Sequence, residues 1–239
     1  MIASFVLLGL GIIFLVLFLI DKCHKYSVRE TAIKSFTSVC FIGVACICWY
    51  EAISNGATNN FGIFIILGLL LGLLGDIWLD LKYVFKEEDN SFTKLGFLVF
   101  GIGHIIYMSG IITNFYNGNN LLYLLLPVVS AVLITCCVVL LEKPMKVKYG
   151  SLMPIVLAYS FLLFLFMSLS ISFAIMYKFN NWTLNMIAIG SILFSVSDLI
   201  LSGTYFGVGK ERPIDITINS VLYYVAQFLI AFSLLLQIL

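Results

Sequence analysis

The stretch FGIFIILGLLLGLLGDIWLD, residues 61–80, is uncharged for fifteen residues and then carries aspartates at 76 and 80. As a helix rising 1.5 Å per residue it is about 30 Å long, the thickness of a bilayer's hydrocarbon core. Its continuous apolarity excludes a barrel strand, which alternates over about ten residues. An aspartate well inside a lipid-embedded helix costs roughly 2.5 to 3.5 kcal/mol on insertion scales, so such a residue usually has a polar neighbour or a task. Gly68, Gly72, Asp76 and Asp80 recur every four residues and share one face. The glycines let a neighbouring helix approach closely, and the carboxylates point into the same seam.

Seven further runs of this kind flank it. Together they lie near 2–20, 33–53, 61–81, 94–114, 121–141, 152–177, 184–202 and 217–239. The expected fold class is all-α, a polytopic membrane bundle of eight transmembrane helices forming a single domain. Composition agrees: 62% of the 239 residues are hydrophobic and 10% charged, against roughly 45 to 50% apolar and about 25% charged in soluble domains. A net charge of +1 with no basic tract gives no reason to expect a nucleic-acid partner. The first run lacks a positive n-region and a small-x-small cleavage pattern, and reads as a retained span. The six cysteines, Cys23, Cys40, Cys46, Cys48, Cys136 and Cys137, form no C-x-x-C pair, and five sit inside apolar runs, where cysteine packs as a small hydrophobe.

Loop charge sets the expected orientation. The connections after spans 1, 3, 5 and 7 hold Lys22, Lys25, Arg29 and Lys34; Lys82, Lys86 and Lys94; Lys143, Lys146 and Lys148; and Lys210 with Arg212, whereas the alternate loops hold only Lys178. Twelve against one predicts a cell-membrane protein with both termini extracytoplasmic and the charged loops in the cytoplasm.

The polar residues inside the spans fall at one end. Asp76 and Asp198 lie roughly 6 to 8 Å inside the cytoplasmic boundary, His104 and Gln227 about 15 Å deep, and Tyr223 and Tyr224 between. An internal symmetry relates them: Gly68 and Asp76 match Gly190 and Asp198, and FGIGHIIY (100–107) aligns with YYVAQFLI (223–230), setting His104 against Gln227. Four spans per half predict a duplicated unit, about 1–120 and 121–239, related by an axis along the membrane normal with the polar site beside it.

On helix 7, Ser191, Ser195 and Asp198 share a face at spacings of four and three; its carboxylate either works or is held by serine hydroxyls in a structural network. Two carboxylates in one desolvated cavity resist ionising together, so one is expected to keep its proton, giving an acid and a base. His104 and Tyr107 share a face of helix 4, and Tyr223, Tyr224 and Gln227 one of helix 8. The histidine either functions in the site or bridges helices, and the helix 8 trio suits positioning of substrate or water. Asp80, beside Lys82, reads equally as a site residue or a solvated interfacial carboxylate. The remaining Phe and Tyr residues are expected to face lipid. With two histidines, one of them (His24) in a loop, a three-histidine zinc site cannot be built. No G-x-S-x-G elbow, Walker motif or Rossmann motif is present. Metal-free, cofactor-free carboxylate chemistry remains.

The motifs GDIWLD (75–80), FGIGHIIY (100–107), SVSDLIL (195–201) and YYVAQFLIA (223–231) resemble the YhhN-like family, the lysoplasmalogenases, over most of the chain. The resemblance implies an integral hydrolase that cleaves the vinyl ether of lysoplasmalogens to a fatty aldehyde and glycerophosphoethanolamine or glycerophosphocholine. It carries over Asp76, Asp80, His104, Tyr107, Asp198, Tyr224 and Gln227 as matching positions. Acid-catalysed vinyl ether hydrolysis needs one carboxylic acid and one carboxylate, as glycoside hydrolysis does. Asp76 and Asp198, with His104, are the expected catalytic residues; Asp80, Tyr107, Ser195, Tyr223, Tyr224 and Gln227 are expected to bind substrate. The lysophospholipid would slide in between helices while Lys82, Lys94, Lys210 or Arg212 meets its phosphate. The alternative is a small-solute or proton-coupled transporter, since parallel repeats and intramembrane carboxylates occur there too.

Overall fold

A computed structural model describes residues 1–22, 28–118, 120–140, 142–144, 146–207 and 212–238. Cys23, His24, Lys25 and Lys210 lie outside them. Eight helices follow one another: α1 (Ile2–Lys22), α2 (Val28–Ser54), α3 (Phe61–Val84), α4 (Asp89–Phe115), α5 (Leu122–Leu140), α6 (Met153–Met176), α7 (Trp182–Phe206) and α8 (Pro213–Phe232). All eight are long and apolar enough to cross a membrane, and the described residues contain no strand, only an isolated bridge between Val147 and Gly207. The fold is all-helical and multi-pass.

Several helices start earlier than hydropathy suggests. The apolar runs begin at 33, 94 and 217, but α2, α4 and α8 begin at Val28, Asp89 and Pro213. Hydropathy marks where lipid begins, whereas a helix persists as long as its backbone bonds are made. Pro213 at the first helical position gives up an amide that has no partner there anyway. Asp215 in the same turn suits the helix dipole and is gripped by Arg212 through bonds of 2.7 and 3.0 Å. That pairing raises the Arg212 guanidinium pKa above its ordinary value. At the other end the final α-helix gives way at Phe232 to a 3-10 stretch, Ser233–Ile238.

Short connections make consecutive helices antiparallel neighbours. In the first half α1 packs on α2, α2 on α3 and α3 on α4; in the second, α5 packs on α6, α6 on α7 and α7 on α8. The halves meet where α4 touches α6 and where α2, α3 and α1 touch α8. The pairing order within the two halves is the same, whereas the α3–α8 contact has no comparable α4–α7 counterpart.

Small residues set the closest approaches, as they do where helices pack in lipid. On α3, Gly68 leaves no room for a methyl group under the Tyr107 ring of α4, and Gly75 faces Phe100. Gly190 of α7 lies against Ile230 and the Ala226 carbonyl of α8. α1 and α5 are peripheral, with Phe5, Ile12, Leu126 and Leu133 exposed along their outer faces. The aromatic side chains do not mostly face lipid, as the sequence suggested. Phe41, Phe61, Phe100, Phe166, Phe173 and Phe194 are buried and form the centre of the bundle, because rings fill the volume between helices held apart by nothing smaller.

Candidate active site

Two elements at the basic-loop end of the bundle, α3 and α7, each bring one carboxylate to a common cavity. Asp76 stands in a helix that ends at Val84 and Asp198 in one that ends at Phe206, about two turns from the end in both cases. The cavity encloses about 520 Å³ of empty space, open solvent at its mouth included, and its wall contains Asp76, Asp198, Lys34, Tyr159, Tyr223 and Tyr224.

Asp76 is buried and its oxygens are well supplied. Oδ2 accepts from the Tyr223 hydroxyl at 2.8 Å and from Ser38 Oγ at 3.1 Å, while Oδ1 is 3.1 Å from Lys34 Nζ. The same ammonium donates to Asp80 Oδ1 at 3.1 Å. Asp76 and Asp80 lie one turn apart on α3, where like charges repel; Lys34 bridges them. The chain of bonds continues the other way, because Gln227 Nε2 donates to the Tyr223 hydroxyl at 3.0 Å and the Tyr107 hydroxyl reaches Gln227 Oε1 at 3.5 Å. Gly72 makes this possible: a Cβ there would press on the Gln227 amide at 2.9 Å. One polar network thus runs from Asp80 through Lys34, Asp76, Tyr223 and Gln227 to Tyr107, drawing on α2, α3, α4 and α8. The bonds hold the Asp76 side of the network in one arrangement, whereas Asp80 Oδ2 at its end is buried with no partner among the described residues.

Asp198 is half-buried and differently served. It accepts from the Tyr159 hydroxyl of α6, and among the described residues no lysine or arginine pairs with it. Tyr159 is itself clamped, stacked on Phe97 with ring centres 5.0 Å apart and lying 5.7 Å from His104. The serines of α7 do not serve the carboxylate. Ser195 Oγ bonds the Ser191 carbonyl at 2.9 Å, Ser191 Oγ the Ala188 carbonyl at 2.8 Å, and Ser197 engages Asn219 of α8. A helical serine can always satisfy itself one turn back, and these do.

Measured against the expectations, Asp76, Asp198, Tyr223 and Tyr224 line the cavity, and Gln227 and Tyr107 stand behind it in the network. Tyr224 also donates to the Lys34 carbonyl at 3.2 Å, tying α8 to α2. Asp80 is no solvated interfacial group: it is 6% exposed and sits on the far side of Lys34, outside the cavity wall. Ser195 is buried in backbone bonding and does not line the cavity. His104 departs furthest. It lies outside the cavity wall, 1% exposed, with neither ring nitrogen bonded among the described residues. It is stacked on Phe166 at 5.4 Å and edge-on to Phe194 at 5.1 Å. Aromatic rings surround it, and the nearest link to the carboxylates is Tyr159, which donates to Asp198.

Three site residues escaped the sequence reading. Lys34 was counted among loop cations, yet α2 begins at Val28 and carries it inside the bundle. Its signal was the spacing to Ser38, one helical turn on. Ser38 shared that signal. Tyr159 had none, being one aromatic in an aromatic-rich span. For metals, among the described residues no three His, Cys, Asp or Glu side chains converge on one point.

The fold and the site together define a multi-pass helical membrane protein with a carboxylate pair and a lysine gathered in one cavity between α2, α3, α4, α6, α7 and α8. Within that class the chain belongs to the YhhN family, whose profile matches residues 29–234. No curated protein and no solved structure matches it.

Proposed function

We propose that this protein hydrolyses the vinyl ether bond of lysoplasmalogens, with Asp198 as general acid and Asp76 as the carboxylate that steadies the cation and activates water. Membership of the YhhN family is consistent with such a hydrolase. The observation that carries the reading is the contrast between two carboxylates on one cavity wall, one paired with an ammonium and the other bonded to a phenol alone. A lysine compensates Asp76, so it serves as the anion. Asp198 has no such cation among the described residues and serves as the proton carrier.

The reaction needs both. Asp198 delivers its proton to the outer alkenyl carbon, and the electrons of the double bond form the new C–H bond, leaving an oxocarbenium ion stabilised by Asp76. Water, oriented and polarised by the Asp76 carboxylate, adds to the inner carbon, and the proton it sheds ends on the Asp198 carboxylate, restoring the acid. As the hemiacetal collapses, its hydroxyl oxygen loses a proton to form the aldehyde C=O, the C–O bond breaks, and the departing glycerol oxygen takes up a proton, releasing a fatty aldehyde and the hydroxyl of the head fragment. Tyr223 and Lys34 hold the Asp76 oxygens in place throughout.

The basic loops after α1, α3, α5 and α7 support an orientation with that end in the cytoplasm and both termini outside. Lys82, whose Nζ lies 3.0 Å from the centre of the Tyr205 ring in the cavity wall, is then the cation best placed for the substrate phosphate.

The test is aldehyde release from lysoplasmalogen by purified protein, with Asp76→Asn and Asp198→Asn beside wild type. Wild-type turnover no faster than that of both variants ends the hydrolase reading. Protein-dependent solute equilibration across proteoliposomes would replace it with the transporter.

A further inference from the structure

A second chamber adjoins the polar cavity. It lies among α4, α5, α6 and α7, encloses about 430 Å³ of empty space with its open mouth included, and shares Phe97, Tyr159, Asp198, Leu201 and Tyr205 with the polar cavity. Beyond that shared wall its character changes: Val156, Leu163 and Phe164 of α6 are buried hydrophobics, and Val138 of α5 and the exposed Leu199 of α7 stand on its outer side. Among the described residues, Asp198 is the only carboxylate on the wall of this chamber, and it stands at the junction of the two.

The geometry points to this chamber as the hydrocarbon subsite, holding the alkenyl chain of a single-chain amphiphile whose polar head occupies the cavity around Lys34 and Asp76. The inference rests on the proposed reaction for the identity of the head and on the two chambers for the placement of the tail. In an alkenyl lysolipid the scissile bond is the junction of polar head and apolar chain. A protein that cleaves there needs a polar chamber and an apolar one meeting at its acid, and α7 supplies that acid at the meeting point. Continuity decides between the available apolar surfaces. The groove between α1 and α8, lined by Leu8, Gly11, Phe228 and Phe232, reaches the polar cavity only through Tyr224. That phenol is tied to the Lys34 carbonyl, and neither carboxylate lines the groove. A chain lying there would hold its first carbons away from Asp198.

Two measurements test the placement. In the first, wild-type protein in nanodiscs is irradiated with a saturated 1-O-alkyl lysophospholipid, which has no vinyl ether to cleave, carrying a diazirine midway along its chain. Label is expected on the Val156–Phe164 segment and at Val138, and excess unlabelled alkyl lysolipid should compete it away. Label confined to the α1/α8 groove, or label that competitor does not reduce, overturns the inference. In the second, Val156→Phe and Leu163→Trp shorten the chamber. Each should cut turnover of a hexadecenyl substrate by at least about tenfold relative to an octenyl one, since each methylene excluded from an apolar pocket costs discrimination. Equal loss at both lengths, or none, overturns it. The two readings separate cleanly: competed label in the chamber without aldehyde release keeps the tail subsite and removes the reaction, while aldehyde release with label only in the groove does the reverse.

Discussion

Asp76 on α3 receives an ammonium, a serine hydroxyl and a phenol, whereas Asp198, at the matching turn of α7, receives a phenol from Tyr159. α2 packs on α3 and supplies Lys34 and Ser38, and the corresponding α6 packs on α7 and supplies Tyr159; α8 adds Tyr223 on the Asp76 side alone. The difference that matters for charge is the cation. A scaffold with matching halves would give two equivalent carboxylates, and placing one lysine on one side makes them inequivalent, which is what acid and base roles require. The contrast also explains why one carboxylate is sealed behind a network and the other stands half-buried between a polar and an apolar chamber.

The comparison can be broken in several places. Asp198→Asn should have the largest effect, lowering aldehyde release on the order of 10³-fold with thermal stability near wild type, because an amide has the carboxyl's shape but no acidic proton. Retained turnover would transfer the acid role elsewhere. Lys34→Met comes next, leaving two buried carboxylates without their shared ammonium; breaking such a pair costs about 3 to 5 kcal/mol, read as a lowered unfolding temperature in detergent. Adding Asp80→Asn should recover part of it. A neutral Lys34→Met would remove the distinction between the two sides. Tyr159→Phe takes from Asp198 its hydroxyl donor and should slow turnover about 10- to 100-fold, the equivalent of one hydrogen bond to a charged group, while Asp76-side variants of the network lose stability instead. His104→Phe should do least. A phenyl ring fits among Phe166, Phe194 and Tyr159, and no bond is lost, so turnover within about threefold of wild type and unchanged or higher stability are expected. A large loss of activity would return the histidine to the catalytic set.

Much of the fold and part of the site could be read from residues alone. Eight apolar runs, each about a bilayer long, allow one outcome, because lipid leaves backbone polar groups no partner outside a helix. The two deep aspartates were legible for the same reason: charge in hydrocarbon is costly enough that its presence is informative. Lys34 was not, since a cation at the edge of an apolar run looks like a loop residue until the helix is seen to start before it. Asp80 read equally as a site residue or an interfacial carboxylate, and the fold makes it that lysine's second partner. His104 was legible as a polar residue within an apolar span, but not its surroundings, which are the rings of Phe166, Phe194 and Tyr159.

Sequence alone therefore determined the number, order and approximate extent of the spans, because hydropathy varies along one dimension and a bilayer selects on that dimension. Tertiary structure decided everything lateral: which helix faces which, that α2 turns a lysine toward α3 while α6 turns a tyrosine toward α7, and that Asp198 stands where two chambers join. Those facts depend on helix rotation and partner choice, which are set by glycine seams and ring packing between segments far apart in the chain.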